Sequence, residues 1–157
     1  MKQQYSFVTK WEIEAPLQQV WQAVYASLEW LLWWKGIVSV VEIEKEDANG
    51  LNSVHAYTWK SVLPYQLTFT MRLTEKQPLK RLKGVAFGDL EGQGVWTFSE
   101  QDGLVRIQYN WDVYTKKAWM NYLSFILKPV FRYNHDIVMH WGALGLAKKL
   151  NARLVSG

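Results

Sequence analysis

Within Leu104-Val-Arg-Ile-Gln-Tyr-Asn-Trp-Asp-Val-Tyr114, apolar and polar residues alternate without a break from Val105 to Val113. Val105, Ile107, Tyr109, Trp111 and Val113 share one parity, and Arg106, Gln108, Asn110 and Asp112 share the other. Only a β-strand buried on one face has that period. Working back toward the N-terminus, the same signal recurs between turn signals. Asp102-Gly103 precedes the strand, Val95 to Ser99 pairs on before it, and Gly88 to Gly94 reads as a turn closing a strand from Leu79 to Phe87. Leu67, Phe69, Met71 and Leu73 define one inner face; His55, Tyr57 and Trp59 define another. Ile37 to Glu44 is a further strand, followed by the hairpin signal Asn49-Gly50. The chain begins with Tyr5, Phe7, Trp11 and Ile13 alternating against Ser6, Lys10, Glu12 and Glu14.

Helical periods interrupt this pattern twice. Pro16 suits a first helical turn, and Leu17, Val20, Trp21 and Val24 repeat at three and four residues. A second short helical piece holds Leu28 to Trp33. Beyond the deciding strand, Ala118 to about Leu150 is helical, with a kink or break expected at Pro129. At 100° per residue, Phe131, His135, Val138, Met139, Gly142 and Leu146 form one stripe of that helix. Val130, Ile137, Trp141 and Leu144 lie roughly opposite, so the second side is expected to meet something else. The fold class is α+β: a strongly curved antiparallel sheet of about seven strands (β-α-α-β6-α) wrapped around a long C-terminal helix. Such a sheet encloses more space than one helix fills. An internal apolar cavity is the expectation.

Composition narrows the function. The chain has 157 residues, 49% of them hydrophobic and 20% charged, which suits one globular domain over residues 1–157 and excludes disorder. Ten Trp, 8 Tyr and 6 Phe make up 15% of the chain, more ring surface than packing requires. With no cysteine there is no disulfide framework, thiol nucleophile or cysteine metal site, in keeping with a cytoplasmic location. The polar residues of Met1 to Glu14 exclude a signal peptide there, and no apolar run is long enough to span a bilayer. The net charge of +4 is spread over Lys76, Lys80, Arg81, Lys83, Lys116, Lys117, Lys148, Lys149 and Arg153. That scatter reads as a solvated surface rather than a nucleic-acid site.

Several motifs stand in a telling order and spacing: Trp11-x-Ile-x-Ala-Pro16 leading to Val20-Trp21, Trp33-Trp34-x-Gly36, Thr58-Trp59, Pro64-Tyr65-x-Leu67-x-Phe69, Gly92-x-Gly94-x-Trp96-x-Phe98 and Asn134-His135-Asp136-x-Val138-Met139-x-x-Gly142. Together they resemble the helix-grip (SRPBCC) superfamily of START-like lipid-transfer domains, birch-pollen-allergen-like proteins and polyketide cyclases. The resemblance spans nearly the whole chain. It implies a deep apolar pocket between sheet and helix for a lipid-like, isoprenoid or polycyclic aromatic ligand, and it implies no particular reaction.

The inward parities nominate Trp11, His55, Tyr57, Trp59, Phe69, Met71, Phe87, Trp96, Trp111, His135 and Met139 as pocket lining. His55 and His135 are also the two candidate bases, each weighed against a packed histidine that only bonds its neighbours. His135 and His140 lie on different helix faces, so no metal site and no cofactor is expected. Asp89 and Glu91 read as solvated turn residues. Ser39, Ser53 and Ser99 lack the context of a nucleophile. Binding of a hydrophobic small molecule is the leading reading, and a polyketide cyclase or aromatase using a pocket histidine is its rival. Trp30, Trp33 and Trp34 read as a lid over the cavity, with membrane-surface contact as an accompanying role. Trp141 and Leu144 are a candidate homodimer face.

Overall fold

The computed structural model describes residues 4–116 and 118–157; Met1–Gln3 and Lys117, one of the scattered basic residues, lie outside them. Strand β1 (Gln4–Glu14) leads through Pro16 into helix α1 (Leu17–Tyr25) and a 3-10 helix (Ser27–Leu32). Six strands follow: β2 (Ile37–Glu44), β3 (Val54–Lys60), β4 (Gln66–Gln77), β5 (Arg81–Gly88), β6 (Leu90–Gln101) and β7 (Leu104–Thr115). Helices α2 (Ala118–Tyr122) and α3 (Ser124–Leu150) then lead to a short last strand, β8 (Arg153–Ser156). All pairings are antiparallel, in the order β2-β3-β4-β5-β6-β7-β1-β8, and the sheet is curved and open.

The deciding strand keeps its parity. Val105, Ile107, Trp111 and Val113 are buried, as are Trp96 and Phe98 on β6 and Tyr5, Phe7, Trp11 and Ile13 on β1. These rows face α3, whose Met139, Ala143 and Leu146 complete the core.

Four local expectations change. An eighth strand forms because Asn151 takes the left-handed conformation (φ 50°) and ends α3, turning the chain back along β1. The segment Gly88–Gly94 is mostly strand, and only Gly88-Asp89 turns. Gly92 lies within β6 at φ 147°, where an added Cβ would come 2.0 Å from the Asp112 carbonyl oxygen. Only glycine permits that approach. Strand β5 starts at Arg81, after a turn in which Leu79 has φ 65°. The helical run breaks at Leu123 rather than at Pro129. Pro129 is tolerated inside α3, one turn from its start.

Glycines also set how closely the 3-10 segment sits on α3. A Cβ at Gly142 would come 2.4 Å from Cε2 of Trp34, and one at Gly145 would come 1.9 Å from the Trp33 carbonyl oxygen. Into this gap the Trp34 indole donates a hydrogen bond to the Val138 carbonyl at 2.8 Å. The aromatic segment is thereby clamped to the long helix.

Candidate functional site

Between the 3-10 helix and the inner face of β3–β6 lies a cavity of about 720 Å³, above the lower limit of roughly 300 Å³ for small-molecule sites. A second cavity of about 150 Å³ lies between β1, β7 and α3. Trp30, Trp59, Phe69, Trp96 and Tyr109 line both and form the wall between them. The larger space exists because β5 and β6 put small residues on the inner face: Gly84 and Gly94 oppose each other in register and contribute no side chain. Apolar lining therefore comes from large rings on β3, β4, β6 and β7.

The polar groups of the larger cavity form a chain. Tyr57 donates from its hydroxyl to Ser27 Oγ at 2.8 Å, and Ser27 Oγ lies 2.8 Å from His55 Nδ1. His55 Nε2 lies 3.6 Å from Glu42 Oε2 on the neighbouring strand, where the two residues are directly paired in register. Ser27 has one proton. Its oxygen accepts from Tyr57 and can also give its proton to Nδ1, the arrangement in which the His55 proton sits on Nε2, an atom buried without a hydrogen-bond partner. Burial holds the His55 pKa below its ordinary value despite the opposing pull of Glu42. Burial also pushes the Tyr57 hydroxyl up to about 12, against the Ser27 hydrogen bond. At neutral pH the imidazole is uncharged and the phenol intact. At the rim Tyr25 donates to Glu46, and Lys76 Nζ lies 3.3 Å from the Tyr25 hydroxyl and 4.7 Å above its ring.

The smaller cavity is more apolar. His135 stacks on Phe7 with ring centroids 4.4 Å apart, and its buried Nδ1 has no hydrogen-bond partner, with Asp136 Oδ1 at 3.8 Å. Burial pushes its pKa down to about 4, outweighing Asp136. Trp59 Nε1, on the shared wall, is also buried without a partner.

The nominated residues are divided by the fold. His55, Tyr57 and Met71 line the larger cavity, Trp111, His135 and Met139 the smaller, and Trp59, Phe69 and Trp96 both. Trp11 lines neither; it is buried beneath them, packed edge-on against Trp34 at 5.6 Å and tilted against Trp96 at 5.5 Å. Phe87 is 40% exposed on the outer face, because β5 directs Leu82, Gly84 and Ala86 inward. Trp30 and Trp34 are buried, and Trp33 is partly buried and stacks on Trp34 at 5.5 Å, so these rings roof the interior. Trp141 is covered by Gly36 and by Lys35, whose Nζ lies 4.6 Å above its ring, which leaves only Leu144 exposed on the expected dimer face. His140 bonds the Gly157 carbonyl at 2.8 Å. Among the described residues no three His, Asp or Glu side chains come together as a metal site.

Sequence reasoning missed Ser27, Tyr5, Phe7 and Tyr109. Tyr109 shares the parity of Trp111 and was legible. Ser27 was not, since its partners are 28 and 30 residues away.

No protein-family model and no curated protein matches the chain. Solved structures do. The aromatase/cyclase Zhui from a Streptomyces species is 12% identical with a TM-score of 0.77, over 95% of this chain and 94% of that one. TTHA0849 from Thermus thermophilus is 13% identical with a TM-score of 0.73, over 92% and 99%. A START superfamily protein from Mycobacterium smegmatis is 10% identical with a TM-score of 0.72, over 94% and 97%. At these identities the likeness is one of fold. The chain has the START-like helix-grip fold.

Proposed function

We propose that the larger cavity binds a hydrophobic small molecule, polycyclic aromatic or isoprenoid in kind, that carries a carbonyl or hydroxyl oxygen. The observation behind this reading is the Tyr57–Ser27–His55 chain set among rings and aliphatic groups, with Glu29, Lys45, Glu46 and Lys83 also on the lining. Rings supply contact area at low entropic cost, and a few placed polar groups fix orientation. The unpartnered Trp59 Nε1 is a donor available to such an oxygen, whereas Tyr57 gives its one proton to Ser27.

A second reading has one specific observation in its favour. The same contacts bring a buried phenol, a hydroxyl and an uncharged imidazole into line, with the Glu42 carboxyl group 3.6 Å beyond, an arrangement suited to passing a proton. On that reading His55 is the base in cyclisation of a poly-carbonyl substrate: Tyr57 takes a proton from the substrate as it passes its own to Ser27, and Ser27 passes its proton to the unprotonated Nδ1 of His55. His135 has no such connection.

Anthrone, a tricyclic ketone, and anthracene, its oxygen-free counterpart, test the first reading. Trp59→Phe is expected to weaken anthrone binding roughly tenfold more than anthracene binding, one hydrogen bond's worth. Equal loss for both ligands would assign Trp59 a packing role only. His55→Gln separates the two readings: a binding protein keeps its anthracene affinity and has no turnover to lose, whereas a cyclase loses turnover with binding intact.

A further inference from the structure

Gly84 and Gly94, opposed in register on β5 and β6, leave bare backbone in the floor of the larger cavity. One side chain reaches over it. Tyr109 on β7 pairs with Trp96 in register and stacks on its ring with centroids 4.2 Å apart, and it stacks on Trp111 as well, at 5.9 Å. Held by these two indoles, Tyr109 points along the sheet at Gly94. Its hydroxyl oxygen is the first atom that a Cβ at Gly94 would strike, followed by Tyr109 Cζ at 2.9 Å and Trp111 Cε3 at 3.0 Å. No described residue hydrogen-bonds this hydroxyl, whereas the Tyr57 hydroxyl on the same lining gives its proton to Ser27. The two phenols are neighbours: burial raises the Tyr109 pKa, and Tyr57 adds to that rise. An enclosed hydroxyl without a partner is costly, and phenylalanine would stack on Trp96 and Trp111 equally well. Packing alone therefore does not account for the oxygen atom of Tyr109.

We propose that Tyr109 and Gly94 form a subsite in the floor of the larger cavity that takes a hydroxyl group of the ligand and so selects hydroxylated ring systems over their unsubstituted counterparts. The inference rests on the reading of that cavity as a binding site, and it adds a specificity that the Tyr57–Ser27–His55 chain does not supply. The chemistry follows from the two phenols. Tyr109 has an unspent proton to give to a ligand oxygen. The Tyr57 oxygen has given its proton to Ser27 and keeps lone pairs that accept the ligand's own proton. A hydroxyl uses both, and an ether or a carbonyl uses only the first. Both phenols are neutral at pH 7, so the subsite suits a neutral hydroxyl rather than an anionic group, whose buried charge they would not offset. Gly94 acts through Tyr109. By having no side chain it lets the phenol lie down on the strand with its hydroxyl in the cavity floor, and any larger residue displaces that hydroxyl.

Naphthalene and 2-naphthol, titrated at pH 7 and followed by quenching of tryptophan fluorescence, test the subsite. Wild type is expected to bind 2-naphthol roughly tenfold more tightly than naphthalene, one hydrogen bond's worth. Tyr109→Phe should abolish that preference and leave naphthalene affinity unchanged. Gly94→Ala should reduce the preference although Tyr109 is still present, and in the Tyr109→Phe background it should reduce it no further. Tyr109→Phe removes a hydroxyl that has no partner, so the variant should melt at or above the wild-type temperature and stands as a test even if Gly94→Ala does not fold. Equal wild-type affinity for the two ligands overturns the proposal. So does a preference that survives Tyr109→Phe and disappears in Trp59→Phe, since the ligand hydroxyl would then belong to Trp59. Saturable naphthalene binding without any preference for 2-naphthol removes the subsite and leaves the cavity reading standing, whereas absence of saturable binding by both ligands overturns the two together.

Discussion

Trp34→Ala should lower the unfolding free energy by about 3–5 kcal/mol, the range for removing a large buried aromatic side chain. Trp34 is 2% exposed and touches the rings of Trp11, Trp30, Trp33, Trp59 and Trp96 at centroid distances of 5.6, 5.0, 5.5, 5.2 and 6.3 Å. It also carries the hydrogen bond to Val138 that ties the 3-10 segment to α3. Truncation leaves a void that cannot easily collapse, because Gly142 opposite it has no side chain to move in. Trp34→Phe keeps most of the ring area and loses the hydrogen bond, so it should cost much less than Trp34→Ala. Urea midpoints of the two variants measure the difference. A loss below about 1.5 kcal/mol for Trp34→Ala would mean that the aromatic clamp is not a principal support of the fold.

Acid should destabilise the protein well above the pH where carboxylates titrate. His135 is buried with its pKa pushed down to about 4, whereas in the unfolded chain it titrates near 6.5. Between those values the unfolded state binds the extra proton. Stability is therefore at its full value above about pH 6.5 and falls as pH drops toward 4, by about 3 kcal/mol from this residue. His55, also depressed by burial, adds in the same direction. Asp136 and Arg132 face the His135 ring from its own helix with opposing effects, and Phe7 faces it from β1. His135→Phe keeps a ring stacked on Phe7 and removes the titration, so its unfolding free energy should change less with pH over that window. Parallel slopes for wild type and variant would show that His135 is not held neutral by burial.

The sheet was largely legible because parity survives folding wherever one face is buried. β7, β4 and β3 present inward the residues their alternation nominated. β5 misled for a physical reason. A strand beside a cavity puts its small residues inward, so Gly84 and Ala86 mark the inner face while the larger Phe87 and Val85 stand outside. Hydrophobicity points the wrong way at such a place. The Trp30–Trp34 stretch was ambiguous because its burial depends on Gly142 and Gly145 more than a hundred residues later. Ser27 was invisible for a similar reason. A serine in a short 3-10 helix becomes part of a polar chain only when β3 brings Tyr57 and His55 to it. β8 was too short to carry a period, though Asn151 could have signalled the turn that precedes it.

On the proposed function, the space between the 3-10 helix and β3–β6 takes up a hydrophobic ligand. Titration of the protein with anthrone, followed by quenching of its tryptophan fluorescence, tests this most directly when wild type is compared with Gly84→Leu. Gly84 lies on the cavity wall, and an added Cβ meets only the flexible end of Met71 at 2.7 Å and the Arg72 carbonyl at 3.4 Å, so the new side chain occupies the space a ligand needs. Wild type should bind one anthrone per chain, and Gly84→Leu should remain folded while losing at least about tenfold in affinity. Unsaturable quenching of wild type, or equal affinity in a folded Gly84→Leu, would contradict the claim.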